Sequence, residues 1–270
     1  MKYKIELLSS IKNTLGEGPF FDFESKAISW IDILSKKLYI KNGDNIKEIV
    51  FKEKIGAAVP CYDFNKFIVC GETKLYLYQN DKIEEYIDIS GIVKKGMRCN
   101  DAKFDSRGRL FFSTMVDDGV SKPDGALYKL EGKKITKVMD TLLGNGLAWS
   151  IDSKKFYFAD SIAHKIYSFD YDIESGTLSN KKILIETSDT PDGMTIDNKN
   201  NLYIAIWGGA KVEVRSGVDG TLIDIINLPT KLITSATFIN DSYNELVITS
   251  ASLDEKDESA GKVFKVRIEE

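Results

Sequence analysis

The chain has 270 residues, of which 43% are hydrophobic and 29% charged, with only 5 prolines. This is the make-up of an ordinary folded domain and excludes disordered or fibrous classes. A formal charge of −4 with lysines scattered among acids provides no basic field for phosphates, so nucleic acid is not an expected partner. The opening MKYKIELLSSIKN lacks an apolar leader and no window approaches a membrane span, so a cytoplasmic protein is expected, with no membrane partner. Cys61, Cys70 and Cys99 are odd in number and lack CxxC spacing; they read as small buried or half-buried residues.

In chain order, six segments share one plan, an apolar or aromatic residue, a polar turn and a strand-like run. They are FFDFESKAISWIDI (20–33), YDFNKFIVCG (62–71), FDSRGRLFFSTM (104–115), WSIDSKKFYFADS (149–161), IDNKNNLYIAIWG (196–208) and FINDSYNELVITSAS (238–252). Between them lie KLYIK, KLYLYQ, ALYKLEG, KIYSFDYD and KVEVRS, further strand candidates bounded by turn residues. The repeat of about 41 to 47 residues suits four short strands with their turns, the size of a propeller blade. A β-sandwich gives no reason for such a repeat, and a β-helix repeats at a much shorter period. The sequence therefore predicts an all-β, six-bladed β-propeller occupying residues 1–270 as a single domain, with the N-terminal KYKIELL completing the last blade.

Equivalent positions of a radial repeat lie on one ring about its axis. Four residues before the lead apolar residue of each unit stand Glu17, Ala58, Asn100, Asn145, Asp192 and Thr234. Glu17, Asn100, Asn145 and Asp192 thus face one opening, in segments whose glycines permit close backbone approach. Two carboxylates and two amides aimed at one point repel or waste hydrogen bonds unless a positive charge sits between them. A hard divalent cation on oxygen ligands resolves this, and open coordination positions suit Lewis-acid catalysis. Taken alone, Asn145-Gly146 and Asp192-Gly193 read as hairpin turns; their common phase in the repeat argues for the ring. Arg98, Asp101, Asp117 and Asp118 fall near it, Arg98 on the same side of an extended segment as Asn100. Trp30, Trp149 and Trp207 read as core, and His164, the single histidine, as a turn or surface residue, which leaves no imidazole triad and no Ser-His-Asp site.

The motifs LGEGP, RCNDAKFDSRGRLFFSTM, GNGLAWS, PDGMTID, LYIAIWGG and TSATF occur in the order that resembles the regucalcin and gluconolactonase family, also called the senescence-marker-protein family, over nearly the whole chain. The resemblance implies a six-bladed propeller with one divalent cation in its mouth and hydrolysis of sugar lactones to aldonic acids. It places the metal ligands on Glu17, Asn145 and Asp192, and substrate-binding roles on Arg98, Asn100 and Asp118. Asp192 is also the candidate catalytic residue, orienting or deprotonating the attacking water. Ca²⁺ is the first expectation for the cation, with Mg²⁺, Mn²⁺ or Zn²⁺ as alternatives, and the expected partner is a small sugar lactone, with the chain a monomer or weak homodimer. The chain departs from the family pattern in three places: TSATF stands where a cysteine is common, Asp118 is one methylene shorter than the usual glutamate, and the loops are compact. Rival readings are hydrolysis of another ester, a thiolactone or a phosphotriester, and a non-catalytic calcium-binding propeller.

Overall fold

A computed structural model describes residues 2–61, 63–117, 124–253 and 255–269, the side chain of Asp63 apart. Strand β1 (Lys2–Ser9) precedes a first sheet of β2 (Gly16–Phe21), β3 (Ile28–Asp32), β4 (Lys37–Asn42) and β5 (Asn45–Val50). The second sheet comprises β6 (Ala57–Cys61), β7 (Asp63–Cys70), β8 (Lys74–Gln79) and β9 (Lys82–Asp88). The third follows as β10 (Met97–Phe104), β11 (Leu110–Val116), β12 (Gly125–Glu131) and β13 (Lys134–Thr141). The fourth is β14 (Gly144–Trp149), β15 (Lys155–Asp160), β16 (Lys165–Asp172) and β17 (Thr177–Glu186). The fifth holds β18 (Thr190–Ile196), β19 (Asn201–Trp207), β20 (Lys211–Ser216) and β21 (Leu222–Asn227). Strands β22 (Ile233–Phe238), β23 (Glu245–Ser250) and β24 (Val263–Glu269) form the sixth, whose outer place is taken by β1 in the order β1-β24-β23-β22. Each sheet is an antiparallel four-stranded blade of a six-bladed β-propeller, and no α-helix occurs among the described residues.

The six repeated segments are the links from the first to the second strand of each blade, and the interspersed candidates are the third strands. Second strands such as β3, β11, β19 and β23 are buried on both faces because each blade is covered by a neighbour on either side, hence their continuous apolar runs. The packing is distributed: a separate apolar cluster fills each of the six blade-to-blade interfaces, from Ile31, Leu38 and Phe67 between the first two blades to Trp30 and Val247 between the last and the first. Pairing of KYKIELL with β24, from Lys2 opposite Glu269 to Leu7 opposite Phe264, ties the chain ends together and joins the circle. Radial repetition leaves each blade only short, protected edges.

Buried charge locks one interface as well. Asp105 accepts from Arg109 Nε at 2.6 Å and from the Tyr171 hydroxyl, and Arg109 in turn donates to Glu174 O at 3.0 Å, so the third blade grips the fourth. The remaining expectations for isolated residues match their places. Trp30 is fully buried, Trp149 and Trp207 are half-buried, and no disulfide joins the three cysteines among the described residues, Cys70 and Cys99 being buried. His164 sits in a turn at φ 53° with its Nδ1 2.6 Å from Asp189 O.

Candidate metal and substrate site

The six innermost strands β2, β6, β10, β14, β18 and β22 run in the same direction, so residues near their starts gather at one end of the propeller. In five of them the regular pairing with the second strand breaks at the ring position: between Glu17 and Phe20, Cys99 and Ala102, Asn145 and Leu147, Pro191 and Met194, and Ile233 and Ser235. Such a bulge re-aims the side chain beside it. Only β6 pairs regularly here, Ala57, Ala58 and Val59 facing Cys70, Val69 and Ile68, and its ring residue is an alanine. Asn145-Gly146 and Asp192-Gly193 are therefore bulges inside β14 and β18, not hairpin turns. Gly146 adopts φ 39°, and a Cβ there would lie 2.6 Å from Asp192 O, so the fourth and fifth blades touch through a residue that must lack a side chain.

Hydrogen bonds link the ring residues. Asn100 Nδ2 donates to Asn145 Oδ1 at 2.9 Å and to Gly144 O at 3.0 Å. Asn145 Nδ2 donates to Ser161 Oγ at 2.9 Å, and Ser161 donates onward to Pro191 O at 2.7 Å. Arg98, only 5% exposed, donates from Nη1 to Asn100 Oδ1 at 2.7 Å and from Nε to Asp117 Oδ1 at 3.0 Å. Asp117 also pairs with Lys54. These bonds hold Arg98 in place beside the ring, with Asp117 as its brace. Glu17 Oε2 accepts from Gly18 N at 2.8 Å, and its carboxyl neighbours that of Asp192, so that each acid perturbs the other. Thr234 faces away from the opening: its hydroxyl donates to Gly16 O at 2.6 Å, joining the sixth blade to the first. Asp118 lies outside the described residues.

Electrostatics at this end are those of crowded acids. Burial, then the Asp101 charge, pushes the Glu17 carboxyl up to about 8, with Gly18 N and Arg98 opposing. Asp192 is driven well above the carboxylate range by burial and by Glu17 and Asp101. Asp101 rises to about 6 through burial, against the pull of Lys103 and the amides of Ala102 and Gly146. Sequence reasoning placed Asp101 near the ring without a role; here it is a third charge acting on both ring acids. Ser161 and Lys103 were missed. Both follow the repeat, Ser161 at the end of a second strand and Lys103 three residues beyond Asn100, but neither type marks a site on its own.

The donor set can be tested against a cation. Among the described residues no three His, Cys, Asp or Glu side chains close on one point, so Asp101 stands off and the set is Glu17 and Asp192 with an amide oxygen. Asn145 Oδ1 accepts one hydrogen bond and keeps a second lone pair. Two mutually repelling carboxylates and an amide oxygen fit a hard divalent cation, which lowers the pKa of the acids it binds.

Residues 15–252 match the family described as SMP-30/Gluconolactonase/LRE-like region. The chain belongs to that family. Regucalcin of Danio rerio is 31% identical over 97% of this chain and 94% of its own length. A putative sugar lactone lactonase of Bacillus subtilis, YvrE, is 30% identical with the same two coverages. Among solved structures, a luciferin-regenerating enzyme superposes with a TM-score of 0.91 at 28% identity, covering 98% of this chain and 95% of its own.

Proposed function

We propose that this family member is a divalent-cation-dependent hydrolase that opens a sugar lactone to its aldonic acid. The observation that carries the reading is the pairing of two proton-hungry carboxyls, Glu17 and Asp192, near the starts of the innermost strands with a hydrogen-bonded Arg98-Asn100-Asn145 row beside them. Similarity to a putative sugar lactone lactonase supports the substrate class.

Glu17, Asn145 and Asp192 would hold the cation, Ca²⁺ being the best match to all-oxygen ligation, and when bound it supplies Lewis-acid polarisation of the lactone carbonyl. Asp192 orients the attacking water and takes its proton. Asn145 is kept in register by Asn100 on one side and Ser161 on the other. Arg98 is fixed by Asp117 through Nε and by Asn100 and Cys99 O through Nη1, so among the described residues its Nη2 is left to donate to a ring hydroxyl or the lactone oxygen. Asn100 spends its amide protons on Gly144 and Asn145, so toward substrate it can only accept, through the second lone pair of Oδ1. Asp118 is assigned to a further ring hydroxyl. A site built to hydrogen-bond specific hydroxyls rejects analogues that lack them.

The test is metal-depleted protein given Ca²⁺, Mg²⁺, Mn²⁺ or Zn²⁺ in turn and assayed for acid release from a panel of aldonolactones, with a thiolactone and a phosphotriester alongside. Turnover restored by one cation and highest on an aldonolactone supports the proposal. Tight metal binding with no turnover on any lactone contradicts it in favour of a non-catalytic calcium-binding propeller.

A further inference from the structure

At the other end of the innermost strands a second cavity opens between the second and third blades, with a volume of about 490 Å³. It lies where β6 and β10 finish, three to four residues beyond the ring positions, and so about 10–13 Å along the strands from the ring. Its walls are Pro60, Ile68, Leu77, Tyr86, Phe104 and Leu130. Trp149, which holds the repeat position of Phe104, instead packs against Phe111 and Tyr171 with ring centroids 5.4 and 5.9 Å apart, filling the next interface. The Tyr86 hydroxyl donates to Gly132 O at 3.3 Å, bridging the two blades at the outer margin of the cavity.

Two charged residues line the cavity, Asp105 and Lys66. The carboxylate of Asp105 is spent: Oδ1 accepts from the amides of Arg107 and Arg109, and Oδ2 from Arg109 Nε and the Tyr171 hydroxyl. Its charge is balanced by Arg109, which is itself buried. Lys66 is half-buried, and no acceptor among the described residues pairs with its ammonium. Among the described residues, Lys66 thus presents an uncompensated positive charge at the edge of apolar and aromatic walls. Its volume is that of a small-molecule site. Sugars would leave hydroxyls unpaired against Ile68, Leu77 and Leu130, so the lactones and aldonates assigned to the ring do not suit it.

We infer that this inter-blade cavity binds a small aromatic carboxylate, its ring between Phe104 and Tyr86 and its carboxylate on Lys66. The site is independent of the ring chemistry. The probe is 3-phenylpropanoate, titrated into the full-length protein by calorimetry and by ligand-observed NMR, with neutral 3-phenylpropanamide for comparison. Saturable one-to-one binding of the acid is expected, with the amide weaker. Lys66→Met should weaken the acid about tenfold and bring acid and amide level, the loss of one charge-assisted contact. Leu77→Trp should abolish binding by filling the cavity, and Lys66→Glu, a change at the rim that spares the core, should abolish it by reversing the charge. Glu17→Gln should leave it unchanged. Absence of saturable binding overturns the inference, as does binding that survives both Leu77→Trp and Lys66→Glu or is lost in Glu17→Gln.

Discussion

Replacing Glu17 with Gln should raise the stability of the metal-free protein while removing its response to metal. Folding holds this carboxyl at about 8 instead of 4.5, through burial and the Asp101 charge. Between those two values the folded chain keeps a proton that the unfolded chain has released, so metal-free stability falls as pH rises through that window and the full penalty is present above pH 8. Acting alone, such a carboxyl costs about 5 kcal/mol; in the coupled pair of Glu17 and Asp192 the cost belongs to both acids, so removing one charge should recover half of it, about 2–3 kcal/mol. Glutamine is isosteric, can still accept from Gly18 N and can donate to Asp192. For a chain of 270 residues the unfolding entropy is roughly 0.6 kcal/mol per degree, so the variant should melt about 3–5 °C above the parent at pH 9 in chelator. The two should converge below about pH 4.5, where both side chains are uncharged in either state. Adding Ca²⁺ should reverse the order at pH 9, stabilising the parent and leaving the variant unmoved. Scanning calorimetry from pH 4.5 to 9, with and without Ca²⁺, makes the comparison. A variant that melts at or below the parent at pH 9 in chelator would refute the reasoning that the ring acids repel.

Further outcomes follow from other parts of the fold. Gly193→Ala puts a Cβ 2.2 Å from Ser235 Oγ and 2.8 Å from Thr234 O, so chemical denaturation should show a loss of about 2–3 kcal/mol. At Gly43 nothing lies within 4 Å, and only the strain of φ +57° applies, so Gly43→Ala should cost about 1 kcal/mol in the same assay. Asp105→Ala strands the Arg109 guanidinium in a buried site and should lower stability by about 3–5 kcal/mol, whereas equal stability would show that the pair is not locking the blades. Removing residues 1–9 strips β1 from β24 and leaves the sixth blade with an exposed edge; a large drop in melting temperature with aggregation is expected, and an unchanged melting curve would contradict closure by the N-terminus. Metal affinity, followed by calorimetry, should rise with pH up to about 8 because binding must displace the Glu17 proton.

The propeller is legible in sequence because every blade repeats its most buried part. Strands such as ISWID and NLYIAIW are covered on both faces and so read as unbroken apolar runs. The outermost strands do not announce themselves: NIKEIV and KIEEYID are largely exposed edges, rich in charge, and only their place beside the third strands makes them strands. The ring was readable through phase, since a radial repeat converts equal spacing into a common height on the axis. What phase does not disclose is direction. Thr234 shares the position but turns to Gly16 O, and the bulges that aim Glu17, Asn145 and Asp192 are backbone irregularities with no residue signature beyond their neighbouring glycines. The brace of Arg98 by Asp117 and the reach of Asp101 to both ring acids depend on chain folding between distant residues, which spacing alone does not encode.

Crystals grown with Mn²⁺, a strong anomalous scatterer of the same oxygen-seeking class, give the most direct view of the ring. A single anomalous peak within bonding distance of the Glu17 and Asp192 carboxylates and of Asn145 Oδ1 is the predicted result. Full metal occupancy elsewhere, with no anomalous peak at the two carboxyls, would contradict it.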